Sequence, residues 1–269
     1  MSDIVKVESL NFSWGSNEVL KGLDFSIKEN EVISILGVNG AGKSTLIKCL
    51  NGILKPDSGK VEVMQNNAAY DNRMVDVTSL DLVKISKVMS YVPQSVRTSF
   101  SMDVFDVVLL GRRPHIRWNI TAMDREVVSR TLRFLNLEDF AFRKFDQLSG
   151  GERQRVIIAK AIAQNPNLFL FDEPTSDLDL KNQIQIMKCI RNLIKNGSEP
   201  KSALIAIHDI NIASKYSDKI MLLDDGKIRA FGPPGEVLTE QNIADVFGVE
   251  STVTVGEDNH IRILINDEI

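Results

Sequence analysis

Several short stretches of this sequence combine residue types and spacings that handle phosphate and water. "GVNGAGKST" fits G-x-x-x-x-G-K-[ST], with Gly37, Gly42, Lys43 and Ser44 at the fixed positions and Thr45 following. Glycines allow the loop through Asn39, Gly40 and Ala41 to aim backbone N–H groups inward at phosphate oxygens. The lysine reaches the β- and γ-phosphates, and the serine hydroxyl suits Mg²⁺, which takes oxygen ligands. "LFLFDEP" places Asp172 and Glu173 at the end of an apolar run. Asp172 is a metal-holding carboxylate there, and Glu173 a general base for an attacking water. Gln94, in "YVPQS", can orient that water and contact the metal, and His208 closes the apolar "LIAIH". A second anion-reading feature, "LSGGERQ", sets Ser149 before Gly150, Gly151 and Glu152 at the start of a helical pattern. One chain thus carries two places built for phosphate.

These residues need strands to end beside them. "EVISIL", "LFLFD", "ALIAIH" and "KIMLLD" are near-continuous apolar runs, as in strands buried on both faces. Helical patterns alternate with them: "LIKCL" stopping near Gly52, "GERQRVIIAKAIAQ" ending at Asn165–Pro166, Leu180 to about Lys195, and Ile210 to Tyr216. Such alternation predicts an α/β fold, a mostly parallel sheet covered on both faces. Residues 4–27 alternate in the antiparallel manner and form a peripheral β region. The polar "QNNAAYDNRMVD" reads as a surface loop between strands, while "VFDVVLLG", "AMDREVVSRTLRFLNL" and "EDFAFRKF" read as a helical insertion. The expected layout is one domain over 1–269. Its core is 1–95 with 150–234, its helical part is 96–149, and its tail, 235–269, holds one short helix and a hairpin.

The bulk properties remove other classes. The chain has 269 residues, ample for one large α/β domain. A net charge of −4 offers no basic surplus for neutralising nucleic-acid phosphates, so no nucleic-acid partner is expected. Cys49 and Cys189 lack metal or redox spacing and read as reduced thiols. "MSDIVKVESL" has no signal-peptide pattern, and no apolar run is long enough to span a bilayer. Work at a membrane would require docking on another protein's transmembrane helices. His115 and His260 lack placement at a strand end and read as structural.

Taken in order, "GVNGAGKST", "YVPQ", "LSGGERQ", "LFLFDEPTSDLD" and "AIHD" resemble the nucleotide-binding subunits of ATP-binding cassette (ABC) transporters, from "FSWG" to "GPPGEVLT". "LSGGERQ" discriminates, since generic P-loop ATPases lack it. The resemblance implies a P-loop ATPase fold acting as a head-to-tail homodimer. Each ATP, with Mg²⁺, lies between the P-loop of one copy and Ser149, Gly150, Gly151 and Glu152 of the other. It further implies that Trp14 stacks on adenine, where tyrosine is common, and that Thr45 contacts the α-phosphate. Ser44, Gln94 and Asp172 hold the metal, and Asp179 of "SDLD" couples the two sites. The partners implied are polytopic membrane permease subunits and, indirectly, a substrate-binding protein, with the ATPase peripheral on the cytoplasmic face.

"GRRPH", Gly111 to His115, and "GPPGEVLT" are similar to features of the ATPases serving iron–siderophore, haem and cobalamin import. The stretch "NNAAYDNRMVDVTS" is longer than that group usually shows. The rival reading is a soluble ABC ATPase of a cofactor-assembly complex, such as an iron–sulfur scaffold, against which "GRRPH" counts. A chromosome-structure ABC ATPase would need a long coiled coil between P-loop and signature, and no sustained heptads occur there.

Overall fold

The computed structural model describes residues 2–67, 70–94, 101–176, 178–197, 199–256 and 260–269. β1 (Asp3–Trp14) and β2 (Asn17–Lys28) pair antiparallel and lead into β3 (Val32–Leu36), which feeds the P-loop and α1 (Lys43–Leu50). β4 (Ser58–Asn67) and β5 (Tyr70–Asp76) follow, then α2 (Leu82–Val88) and β6 (Met89–Val92). Helices α3 (Val104–Leu109) and α4 (Ala122–Phe134) precede α5 (Gly150–Ala163). Then come β7 (Leu168–Asp172), α6 (Leu180–Lys195), β8 (Ser202–Ala206), α7 (Ile210–Tyr216), β9 (Lys219–Asp224) and β10 (Lys227–Gly232). The tail holds α8 (Pro234–Val237), α9 (Glu240–Phe247) and a hairpin of β11 (Val249–Val255) and β12 (Ile261–Glu268).

The main sheet runs β10-β9-β3-β8-β7-β6, and a four-stranded sheet runs β2-β1-β4-β5. Within the main sheet β9, β3, β8, β7 and β6 are parallel and only β10 is antiparallel. All five residues of β3, of β7 and of β8 are buried, and their period-2 alternation serves two cores at once. Phe169, Phe171, Ala203 and Ile205 face a cluster shared with α3 to α6. Leu168, Leu170, Ile33 and Ile35 face one shared with α1 and the antiparallel sheet. Each Phe, Leu or Ile among them contributes roughly 1.5–3 kcal/mol of burial, so a short strand is held firmly from both sides.

Four expectations change. The tail, expected to hold one short helix, has two, α8 and α9. Most of "QNNAAYDNRMVD" is strand, not loop: Glu62, Val63, Met64 and Gln65 pair with Asp76, Val75, Met74 and Arg73. Its polar composition hid a pairing that the neighbouring strand supplies, while residues 68 and 69 lie outside the described set. Leu82–Val88, read as no element, forms α2, capped by Asp81, whose carboxylate accepts from the Lys84 N–H at 2.8 Å. "EDFAFRKF" supplies only single turns at Glu138–Phe140 and Phe145–Gln147 in place of a helix.

Candidate functional site

Because β3, β6, β7 and β8 are parallel neighbours, their C-terminal ends open on one edge, where ligands of α/β sheets bind. The P-loop leaves β3, Gln94 follows β6, Asp172 ends β7, and His208 stands two residues past β8. Residues scattered over 170 positions of chain therefore meet at one site.

At its centre, both oxygens of the Glu173 carboxylate are engaged. The Gln94 side-chain amide donates to Oε2 at 2.7 Å, and His208 Nε2 lies 2.7 Å from Oε1. The Glu173 backbone sits at φ 51°, a left-handed conformation that non-glycine residues adopt at a cost of order 1–3 kcal/mol. Its N–H donates to the Ala206 carbonyl at 3.1 Å, so β8 holds the strained residue in place.

Asp172 is gripped from two sides. The Ser44 hydroxyl donates to Oδ1 at 2.7 Å and the Tyr91 hydroxyl to Oδ2 at 3.1 Å. Burial, then the charge of Asp172 and the bond to it, push the Tyr91 phenol above its ordinary value, so it remains a neutral donor. Sequence reasoning missed Tyr91. The signal was its position in "YVPQ", on the strand next to β7.

Lys43 is buried, and its ammonium donates to the Gly37 carbonyl at 2.8 Å and the Val38 carbonyl at 3.1 Å. That leaves one of three N–H donors for a phosphate. Burial lowers its pKa, while the charges of Glu173 and Asp172 act to raise it. Gly42 starts α1 at φ 105°, where an added Cβ would meet Leu20 Cδ2 at 2.9 Å. The residue thus turns the loop onto the helix N-terminus where L side chains do not fit. Lys43, Ser44 and Thr45 line one cleft with Asn39, Gly40, Gly42, Val19, Glu173 and Trp14. Trp14 is 55% exposed there, its ring nearly perpendicular to that of Phe12, with the centroids 5.1 Å apart.

The candidate metal donors, the Ser44 hydroxyl, the Asp172 carboxylate and the Gln94 amide carbonyl, are all oxygens. That set fits Mg²⁺, which is held by one or two carboxylates, water and substrate phosphates.

No residue of the signature lines the Lys43 cleft. Ser149 caps α5 at the exposed end of that helix. The Glu152 N–H donates to Ser149 Oγ at 3.4 Å, while the Ser149 N–H and hydroxyl donate to Glu152 Oε2 at 2.8 and 2.7 Å. These bonds, the hydroxyl first, hold the Glu152 carboxyl below its ordinary value. Asp179 caps α6, accepting from the backbone N–H and the side-chain amide of Asn182 at 2.8 and 3.1 Å. The same Asn182 side chain packs against Gly151. The two helix starts therefore touch within one chain, a link invisible in the sequence.

"GRRPH" has a specific structural task. Arg112 donates to Asp124 Oδ1 at 3.1 Å and to the Ala163 carbonyl at 2.8 Å. His115 Nε2 lies 2.8 Å from the Gln164 carbonyl. A Cβ on Gly111 would sit 2.1 Å from the Lys160 carbonyl. The motif thus clamps the C-terminal turn of α5, whose other end is the signature. Both cysteines are half to fully buried, and burial pushes their thiols up to about 12, as expected for inert reduced residues.

This edge, with its P-loop, acid pair and separate signature helix, is that of an ABC ATPase. Residues 20–176 match the ABC transporter family, and the chain belongs to it as an ATP-binding, ATP-hydrolysing subunit. It is 45% identical, over 93% of both chains, to an ABC transporter ATP-binding protein of Methanocaldococcus jannaschii. It is 36% identical over 94% of its length to a cobalamin import ATP-binding protein of Halobacterium salinarum, of which it spans 60%. Among solved structures it is similar to an inward-facing metal-chelate type ABC transporter, with TM-score 0.82 and 30% identity over 98% of both chains. Among the described residues, no helix is long and apolar enough to cross a membrane.

Proposed function

We propose that this chain is the ATP-hydrolysing subunit of an importer for a metal chelate of the iron–siderophore, haem or cobalamin kind. It works as a head-to-tail homodimer, peripheral on the cytoplasmic face of polytopic permease subunits that a substrate-binding protein supplies. The observation that carries the dimer is the separation of the two phosphate-reading features. The cleft around Lys43 has Trp14 for the base and the P-loop for the phosphates, yet the exposed Ser149–Gly151 helix start contributes nothing to it. A second copy brings that helix start, with its partial positive charge, to the γ-phosphate. Asp179, at the neighbouring helix start, links the two sites. The substrate class is supported by "GRRPH" and by the likeness to cobalamin and metal-chelate transporters. In this reading the ATPase core is 1–95 with 150–234, the helical part 96–149 and the tail 235–269.

Glu173 accepts the proton of a water as the water oxygen bonds to the γ-phosphorus and the bond to the β–γ bridging oxygen breaks, with the electron pair leaving on ADP. Gln94 and His208 position the carboxylate, and one of their contacts must yield for water to reach it. Ser44, Gln94 and Asp172 would hold Mg²⁺, which when bound neutralises phosphate charge. ADP lacks the γ-phosphate that bridges the copies, so closure weakens after the reaction, and that difference in affinity drives motion in the partners.

The test mixes two inactive variants. Ser149→Arg keeps the Lys43 cleft and Lys43→Ala keeps the signature, so their heterodimer regains one composite site of two. No recovery of hydrolysis on mixing refutes the shared site. Pull-down from detergent-solubilised membranes tests the permease, and recovery only in a soluble complex overturns the importer reading.

A further inference from the structure

Glu173 borders two spaces, the Lys43 cleft and a pocket of about 170 Å³ beside the start of α5. Gly150, with Arg153 and Gln154 one helical turn further on, places one face of α5 on that pocket. Gln94 and Ser176 share its lining. The signature helix, absent from the nucleotide cleft of its own chain, thus shares a pocket with that chain's proposed base.

One polar side chain on this lining stands apart. The Arg153 guanidinium donates to the Asp146 carbonyl at 2.6 Å, and the Ser176 hydroxyl to the Glu173 carbonyl at 3.2 Å. Gln94 donates to the Glu173 carboxylate. The Gln154 amide nitrogen has almost no exposed surface and donates to no atom among the described residues. A buried donor without an acceptor weakens a fold, so its presence on this face points to a use outside folding. The facing wall is fixed. The Glu173 N–H is held by the Ala206 carbonyl, and the Gln183 amide of α6 donates to the Thr175 and Leu178 carbonyls at 3.2 and 3.0 Å. α5 is clamped at its far end, where Arg112 meets the Ala163 carbonyl. Closing the pocket is left to the signature end of α5.

We propose that Gln154 is a positioning residue for hydrolysis in its own chain. When the signature end of α5 is drawn onto a nucleotide, the pocket closes and the Gln154 amide donates to the Glu173 carboxylate in place of Gln94. Gln94 is then free to turn its amide carbonyl to the metal. A carboxylate oxygen accepts from two directions, so a donor on the pocket side leaves the cleft side open to the attacking water. Both oxygens of Glu173 are occupied in the present arrangement, and this exchange supplies the contact that yields without leaving the base loose. Each α5 would then report the nucleotide at its start to the base beside its inner face. That link rests on the head-to-tail reading above, in which the nucleotide at the start of α5 belongs to the other copy.

The test uses Gln154→Met in the full chain, which keeps the length of the side chain and removes the amide. It should lower kcat about ten- to a hundredfold. KM for ATP should stay within about twofold, because no nucleotide contact is lost. Tm should be at or above wild type, since an unpartnered buried donor is gone. Gln154→Glu, which keeps the shape without the donor, should lose turnover as well. The mixed dimer then locates the effect. Its one working site takes Lys43 and Glu173 from the Ser149→Arg chain and the signature from the Lys43→Ala chain. Gln154→Met should lower turnover when carried by the Ser149→Arg chain and leave it near the parent mixture when carried by the other. Loss only from the Lys43→Ala chain, which assigns Gln154 to the trans signature, overturns the proposal. So does equal loss from both, which marks a structural effect on α5, or an unchanged kcat in the single variant. A parent mixture that fails to recover counts against the shared site, and the split between kcat and KM in the single variant still decides for Gln154.

Discussion

The hydroxyl of Tyr91 donates to Asp172 Oδ2 across 3.1 Å, while Ser44 holds the other oxygen. Tyr91 thus fixes the direction in which Asp172, the carboxylate proposed to hold the metal, presents itself, without lining the Lys43 cleft. Tyr91→Phe keeps the ring and its packing but frees that oxygen. The Mg²⁺ concentration needed for half-maximal ATPase should rise several-fold, with kcat at saturating Mg²⁺ changed less. Fluorescent-ATP titration in EDTA should match wild type. An unchanged Mg²⁺ dependence would show that Ser44 alone orients Asp172.

Glu173 is held by Gln94 and His208 and strained at φ 51°. Glu173→Gln keeps the shape and removes the proton acceptor. ATP affinity should persist while turnover falls by about 10²-fold or more, and the protein should elute as a closed dimer with ATP on gel filtration. Turnover near wild type would assign the base elsewhere. His208→Ala should lower kcat more than it raises KM, since it touches Glu173 and lies outside the lining of the Lys43 cleft.

Lys43→Ala removes a buried ammonium whose remaining N–H is free for phosphate. Isothermal titration should show most ATP affinity lost. Unchanged binding would refute the P-loop role.

Gly111 faces the Lys160 carbonyl so closely that a Cβ would sit at 2.1 Å. Gly111→Ala must therefore push the loop off α5, at about 2–4 kcal/mol. Thermal unfolding should show the loss, and ATP titration of the folded fraction should stay near wild type. A Tm equal to wild type would mean the clamp is slack.

The Ser149–Glu152 box gives a pH signature. Glu152 is held below its ordinary value of 4.5, so its contribution is full above that value and is lost as pH falls through the lower folded value. Glu152→Ala should cost about 0.5–2 kcal/mol at neutral pH, and the Tm gap to wild type should close on acidification below 4.5. A constant gap would place the stabilisation in the backbone alone.

The phosphate chemistry and the class of fold were legible in the sequence because both are local. A P-loop needs glycines at fixed offsets, and strands buried on both faces need unbroken apolar runs such as "LFLFD". Adding the helical periods between them gave the α/β alternation, and "LSGGERQ" separated this family from other P-loop proteins. What the sequence could not decide is what depends on neighbours. The strand pairing of Met64 with Met74 lies in a polar stretch whose partner alone makes it β. Tyr91 reaches Asp172, Asn182 joins Asp179 to Gly151, and Arg112 and His115 clamp the end of α5 only because sheet order and helix packing bring them together. Spacing along a chain encodes what backbone geometry can span in a few residues. Contacts between distant segments are set by burial of the two cores, and those only the tertiary structure decided.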